Sequence, residues 1–180
     1  MKSTTITRTL LAGLLAVATA VAPLDQEVSA GPPLPQVPTR IKVPAGNQAF
    51  LVAHAVGVQI YRCNAATPEW VFVAPRANLY NDKGKLFITH FGGPTWQAKD
   101  GSTAVGTRVD GVTVDPTAIP WLLLSAVGSP GTYGDRLEKT TFIQRTSTTG
   151  GLAPNVTECT AATNGSTREI PYTADYTFWK

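Results

Sequence analysis

The sequence has 180 residues, of which 43% are hydrophobic and 15% are charged, and its formal net charge is +3. The apolar content is too high for an intrinsically disordered chain, and the share of charged residues lies below the roughly 25% that is usual. The length leaves little room for a two-domain dehydrogenase or kinase, and the basic residues are scattered. We therefore expect no nucleic-acid partner, which would need a clustered basic patch.

Residues 1–30 have the pattern of a cleaved export signal. Basic residues precede an apolar stretch over 9–22, and Val28–Ala30 fits the small-residue cleavage rule, with a cut after Ala20 or Ala22 as the alternative. An uncleaved membrane anchor is the competing interpretation, but the stretch is shorter than the roughly 20 residues that span hydrocarbon. The pattern predicts a secreted protein, or one of the periplasm or cell envelope, with no transmembrane segment after cleavage.

The part that follows the signal is predicted to be a single domain. Residues 31–42 are proline-rich, which predicts an extended and mobile segment. Residues 43–180 are enough to build a hydrophobic core without the help of metals or many disulfides.

The first predicted strand covers residues 50–61. Both of its alternating faces are largely apolar, which predicts burial on both sides in a closed or sandwiched sheet. A second predicted strand, Trp70–Val73, ends at Pro75. The turn signal at 81–84 then predicts a hairpin between the segments on either side of it.

Short strands and turns continue to the end of the chain. The predicted breaks and turns are Gly92-Gly93-Pro94, Asp100-Gly101, Asp110-Gly111 and 148–151, and the predicted strands are 85–91, 103–109, 121–126, 140–145 and 172–178. Residues 121–126 have a short helix as the alternative, but their length favours a strand. No segment has a convincing amphipathic helical pattern. The predicted fold is all-β: an antiparallel barrel or sandwich.

Two cysteines, Cys63 and Cys159, are present. In an oxidising compartment they are expected to form one disulfide, with two separate buried thiols as the alternative. A catalytic thiol is not indicated, because neither cysteine has an obvious base close to it in the sequence.

Residues 90–102 form the densest polar and aromatic stretch. His90, Trp96 and Asp100 lie near a glycine-rich bend, where a backbone can approach a ligand closely. A Trp beside carboxylate and amide groups can hold a sugar by stacking and hydrogen bonds. The competing interpretation makes Trp96 a core residue and Asp100 part of a turn.

His54 and Tyr61 complete the candidate site. His54 lies on an apolar face, where a core histidine is the simpler interpretation. If His54 and His90 met with Asp100 or Asp115, they could form a site with two histidines and one carboxylate that binds a metal. The spacing does not show that they meet, so neither a metal nor a cofactor is predicted.

Signatures of catalysis are absent. The sequence has no nucleophile, zinc-protease, dinucleotide or phosphate-loop motif. Paired carboxylates among Asp100, Asp110 and Asp115 have turn residues as neighbours, which favours solvated turn aspartates. No catalytic residue is assigned.

An ordered set of motifs resembles a family of secreted bacterial and fungal proteins that is known as a domain of unknown function. The motifs are His54-x-x-Gly57-x-Gln59-x-Tyr61-x-Cys63, His90-x-x-Gly93-Pro94-x-Trp96-x-x-x-Asp100-Gly101-Ser102, Gln144-Arg145-x-x-Thr148-x-Gly150-Gly151 and Tyr172-x-Ala174-x-Tyr176-x-Phe178. The resemblance implies a secreted single domain without an established activity. A malate dehydrogenase label that some fungal members carry has no support in these residues, which lack a dinucleotide fingerprint.

These observations predict a domain that binds a carbohydrate or another small polar-aromatic molecule outside the cell, through His90, Trp96, Asp100, His54 and Tyr61. Two alternatives remain open. One is an extracellular enzyme that uses His54 and His90 with a metal, or His90 and Asp100 as acid and base. The other is a structural envelope protein without a small ligand.

Overall fold

The structure, a computed structural model, describes residue 1 and residues 34–180. All but the first residue of the predicted export signal therefore lies outside the described residues. Eight antiparallel strands close into one barrel, in which each strand pairs with its sequence neighbours and the last pairs with the first. The strands are β1 Ala49–Asn64, β2 Glu69–Tyr80, β3 Leu86–Phe91, β4 Thr95–Ala98, β5 Thr103–Val112, β6 Trp121–Ser129, β7 Phe142–Gly150 and β8 Thr167–Trp179.

The all-β prediction is confirmed, and the closed sheet decides for a barrel over a sandwich. The helical elements in the described part of the chain are short 3-10 turns at Thr39–Ile41, Val156–Glu158 and Ala161–Thr163. None of the described helices is long and apolar enough to cross a membrane.

The alternation along β1 shows which side of the barrel wall is the interior. Ala53 and Ala55 point inward and are buried, whereas Val56, which points outward, is 58% exposed. The prediction that β1 is buried on both sides is wrong, because a closed barrel fully covers only the inward face of a strand. At Gly57 a Cβ atom would lie 2.2 Å from the carbonyl oxygen of Arg76, so only glycine permits this approach of β1 and β2.

Three predicted chain breaks lie inside strands. Pro75 does not end β2. This part of β2 pairs with β1 but not with β3, so the N–H that proline lacks is not needed for a hydrogen bond to β3. Asp110-Gly111 is not a turn: the register shift between Arg108 and Asp110 is an irregularity within β5, which continues to Val112.

The third break falls in β7. The predicted turn at 148–151 is wrong for most of its length, since β7 continues to Gly150 through an irregularity between Thr146 and Thr149. Ser147 has a φ of 51°, the one non-glycine residue with positive φ in the described part of the chain. An extra residue at this place lets the strand bend while the pairing with β8 resumes.

The end of the proline-rich segment is held against the barrel. Ile41 has no exposed surface, and its carbonyl oxygen accepts a hydrogen bond of 2.6 Å from Nε2 of Gln144. Arg40 forms a bidentate ion pair with Asp110: its Nε donates to Oδ2 at 3.0 Å and its Nη2 to Oδ1 at 2.7 Å. Residues 39–41 therefore form a 3-10 turn against the barrel and depart from the extended conformation expected for residues 31–42.

The predicted disulfide between Cys63 and Cys159 is confirmed. It joins the end of β1 to the connection between β7 and β8, and it packs with Tyr61 and Trp70 in a small second core. Trp70 donates a hydrogen bond from Nε1 to the carbonyl oxygen of Asn155, at 3.1 Å. The β7–β8 connection is thus fastened to the barrel by a covalent and a polar contact.

Candidate ligand-binding cavity

A cavity of about 500 Å³ opens at one end of the barrel and is lined by residues from all eight strands. It lies toward the end of the barrel that carries the β3–β4 turn, whose Gly93 and Pro94 belong to its wall. The aromatic and aliphatic lining includes Tyr61, Phe72, Trp96, Leu122, Leu124 and Tyr176. The polar lining consists of Gln59, His90, Arg108 and Arg145.

An aromatic cluster separates the cavity from the packed part of the barrel. His90 and Trp96 are direct partners across β3 and β4, and their rings stack with centroids 4.0 Å apart. Tyr176 meets both rings edge to face, at 5.4 and 5.3 Å. Trp96 also meets Phe178 edge to face, with ring centroids 6.3 Å apart. Trp96 therefore belongs to the core as well as to the cavity wall.

His90, a residue of the cavity lining, is uncharged and keeps one ring nitrogen as a hydrogen-bond acceptor. Its Nδ1 lies 2.9 Å from the carbonyl oxygen of Thr95, which only accepts, so Nδ1 carries the ring proton and Nε2 keeps a lone pair. Burial lowers the pKa of His90 to about 3; the hydrogen bond to Thr95 opposes this shift and the charge of Arg145 adds to it. The imidazole is consequently neutral at ordinary pH.

Arg145 brings a positive charge into this apolar space. Its Nε and Nη2 both donate to the carbonyl oxygen of Pro120, at 3.1 and 2.7 Å. The ion pairs among the described residues do not include Arg145. Burial raises the pKa of Tyr61, and the charge of Arg145 opposes that rise, so the guanidinium acts on groups around the cavity.

Two further N–H groups of the lining have no hydrogen-bond partner in the described part of the chain. They are Nε2 of Gln59 and Nε1 of Trp96, on side chains that are 3% and 1% exposed. The hydroxyl of Tyr61, by contrast, donates to the carbonyl oxygen of Gly151 at 2.7 Å. Because buried polar groups in native proteins are nearly always paired, the two orphan donors call for an acceptor.

The structure brings together three of the five residues predicted to bind a ligand: His90, Trp96 and Tyr61. His54 is not among the cavity residues, because it points outward from β1 at the other end of the barrel. There its Nδ1 lies 2.7 Å from Asp175 and its Nε2 2.8 Å from Asp82. The hydrogen bond to Asp82 and then that to Asp175 raise the pKa of His54.

Asp100 is also absent from the cavity. It lies in the β4–β5 turn, where its Oδ1 accepts hydrogen bonds from the backbone N–H and the hydroxyl of Ser102, and its Oδ2 accepts one from the N–H of Arg136. Desolvation would raise the pKa of Asp100, but these bonds outweigh it and keep the pKa below its ordinary value. Asp100 thus fastens the β4–β5 turn to the β6–β7 connection, which agrees with its interpretation as a turn residue.

The metal and acid–base arrangements considered from the sequence are not assembled. His54 and His90 face opposite sides of the barrel wall, and Asp100 lies at the end away from the cavity. Across residue 1 and residues 34–180, no group of three or more His, Cys, Asp or Glu side chains is placed to hold a metal ion. Asp115 accepts hydrogen bonds from Thr117 in its own loop, as a turn aspartate does.

Fold and site together define a class: a single eight-stranded up-and-down β-barrel with one disulfide and an internal cavity at one end. The family model described as "Protein of unknown function (DUF3455)" matches residues 44–180, so the chain belongs to that family. This agrees with the resemblance seen in the motifs, at the level of a domain-of-unknown-function family. No curated protein and no solved structure matches the chain.

Proposed function

We propose that this protein binds a small organic molecule in the cavity of its barrel. The observation that carries the proposal is a space of about 500 Å³, bounded by all eight strands and by a buried aromatic cluster. Ligand sites typically have volumes of roughly 300–1,000 Å³, mostly apolar walls and a few placed polar groups. The mouth of a closed β-barrel is a common position for such a site.

Of the two ligand classes considered from the sequence, a small polar-aromatic molecule fits better than a carbohydrate. One face of Trp96 is already covered by His90, so the ring does not offer the open platform on which a sugar stacks. The walls at Phe72, Leu122 and Leu124 are apolar and would leave most sugar hydroxyls unpaired. An apolar body with one polar end matches the division between these walls and the few polar groups.

We also propose that the protein works outside the cytoplasm. The support is the signal-like pattern of residues 1–30 and the Cys63–Cys159 disulfide, a bond that persists in oxidising compartments. Detection of the processed chain in the culture medium or periplasm of the producing cell tests this part. A chain that stays intact in the cytoplasm with both thiols reduced would contradict it.

A neutral fluorescent probe, N-phenyl-1-naphthylamine, tests the binding function. We expect saturable one-to-one binding to the wild-type protein. Leu122→Trp places a larger ring at the cavity wall and should weaken binding at least tenfold. Val127→Trp is the matched control, because Val127 lies on the same strand but is 73% exposed.

Both variants must keep a cooperative thermal transition for the comparison to hold. Probe binding that is absent from the wild type, or equal in the two variants, would contradict a ligand site in this cavity.

A further inference from the structure

The charged side chains that line the cavity are of one sign. Arg145 lies within the wall on β7, and Arg108 lies on the exposed part of β5 that also borders the cavity. None of the cavity-lining residues is an aspartate or a glutamate. Since His90 is neutral, the charged groups of the lining are two guanidinium groups, of which Arg108 also acts on the nearby carboxylate of Asp110.

The guanidinium of Arg145 has unused hydrogen-bonding capacity. An arginine carries five N–H donors, and Arg145 uses one on Nε and one on Nη2 for the carbonyl oxygen of Pro120. Three donors remain, in the fork geometry that matches the two oxygens of a carboxylate. A cation that is half-buried among apolar groups and has no carboxylate partner in the described chain is an unbalanced charge.

The uncharged polar groups point to the same kind of ligand group. The orphan donors Gln59 Nε2 and Trp96 Nε1 both belong to this wall, and both seek an acceptor. A neutral hydroxyl or amide can satisfy one such donor, whereas a carboxylate offers several lone pairs at once. Donors therefore dominate the polar lining, and Nε2 of His90 is the notable acceptor.

We propose, on the basis of the binding function proposed above, that the ligand is an organic carboxylate with an aromatic or alicyclic body. Its carboxylate pairs with Arg145, and its ring packs against Phe72, Leu122 and Leu124. Arg108 at the exposed border adds attraction for anions as they enter. A cationic ligand is disfavoured by both arginines, and a sugar by the apolar walls.

Three probes of the same shape test the proposal on the wild-type protein: 2-naphthoate, 2-naphthalenemethanol and 2-naphthylmethylammonium. Their dissociation constants can be measured by competition with N-phenyl-1-naphthylamine. We expect naphthoate to bind at least tenfold tighter than the alcohol, and the ammonium compound to bind most weakly. This series does not depend on the folding of any variant.

Arg145→Gln then removes the charge and keeps a side-chain amide. It should weaken naphthoate binding at least tenfold and change binding of the alcohol less than threefold. Arg62→Gln is the control, since Arg62 is an exposed residue next to Tyr61 on the outward face of β1. It removes the same charge from the outside of the wall and should leave both affinities within twofold.

The outcomes separate the two proposals. If none of the probes binds the wild type, the binding function itself fails. If the alcohol or the ammonium compound binds as tightly as naphthoate, or if Arg145→Gln and Arg62→Gln affect naphthoate equally, the carboxylate inference is overturned while the binding function stands.

Discussion

His90 and Trp96 lie face to face on neighbouring strands, with ring planes only 8° apart. The β3–β4 register makes them direct partners, so both side chains point into the barrel, and each is more than nine-tenths buried. The sequence placed both residues near the glycine-rich bend at Gly92-Gly93-Pro94 and left open whether Trp96 holds a ligand or belongs to the core. The turn is present, but the two rings lie inward from it and form the boundary between cavity and core.

Trp96→Ala should therefore destabilise the protein strongly. Removing a buried Trp ring typically costs about 3–5 kcal/mol, because a cavity is left where the ring packed. Trp96→Phe should cost less, since it keeps a ring against Phe178 and Tyr176. Urea unfolding of the three proteins measures these differences.

Tyr133→Ala is the control for this comparison, because Tyr133 is 87% exposed and its loss should change stability by no more than about 0.5 kcal/mol. A Trp96→Ala variant with near wild-type stability would contradict the place of Trp96 in the core.

The two histidines should titrate differently. The chain contains only these two, so ¹⁵N NMR of the imidazoles assigns them with one His→Gln variant. His90 should stay neutral with its proton on Nδ1 from about pH 5 to 9, because its pKa is lowered to about 3 by burial. His54 should titrate above its ordinary pKa, because hydrogen bonds to Asp82 and Asp175 favour its charged form. Two histidines that both titrate near pH 6.5 would contradict the burial of His90.

Much of this fold follows from local signals, and the exceptions have physical reasons. The turns at 81–84 and at Gly92-Gly93-Pro94 were predicted because glycine and proline act on the chain locally. Pro75 and Asp110 were wrongly predicted to end their strands. Whether a strand can continue through such a residue depends on which neighbouring strand it pairs with at that position. That pairing is a long-range property, which a single strand's sequence does not contain.

For the candidate site too, some features follow from residue type and others depend on long-range strand pairing. Tyr61, His90 and Trp96 could be selected by residue type, but the inward direction of each strand appears only once the barrel closes. Gln59 and Arg145 were quoted within motifs and not selected as ligand-binding residues. Gln59 shares the parity of Tyr61 on β1, and this is the one sequence signal that pointed to it.

His54 should make stability depend on pH in a defined direction. A pKa that is raised on folding stabilises the native state at pH values below the unfolded pKa of about 6.5. This contribution is lost as the pH rises through the folded pKa of His54. His54→Gln should therefore lower the free energy of unfolding more at pH 5.5 than at pH 9.

The size of the effect should stay within about 1 kcal/mol, since the His54 side chain is 44% exposed and its ion pairs are screened by solvent. Urea unfolding of both proteins at the two pH values measures it. A difference that grows with pH would contradict the pairing of His54 with Asp82 and Asp175.

Loss of the Cys63–Cys159 disulfide should affect both stability and ligand binding. The cysteines are 96 positions apart, and in the chain-entropy model a bridge over a loop of this size contributes about 4–5 kcal/mol. The bridge packs beside Tyr61, whose hydroxyl donates to Gly151 at the start of the β7–β8 connection. Reduction should therefore loosen the part of the cavity wall that Tyr61 forms.

We expect reduced protein, compared with oxidised protein at a temperature where both are folded, to bind N-phenyl-1-naphthylamine more weakly. Thiol titration of the denatured, unreduced chain should find no free thiol. Equal binding before and after reduction would show that the β7–β8 connection holds Tyr61 in place without the covalent link.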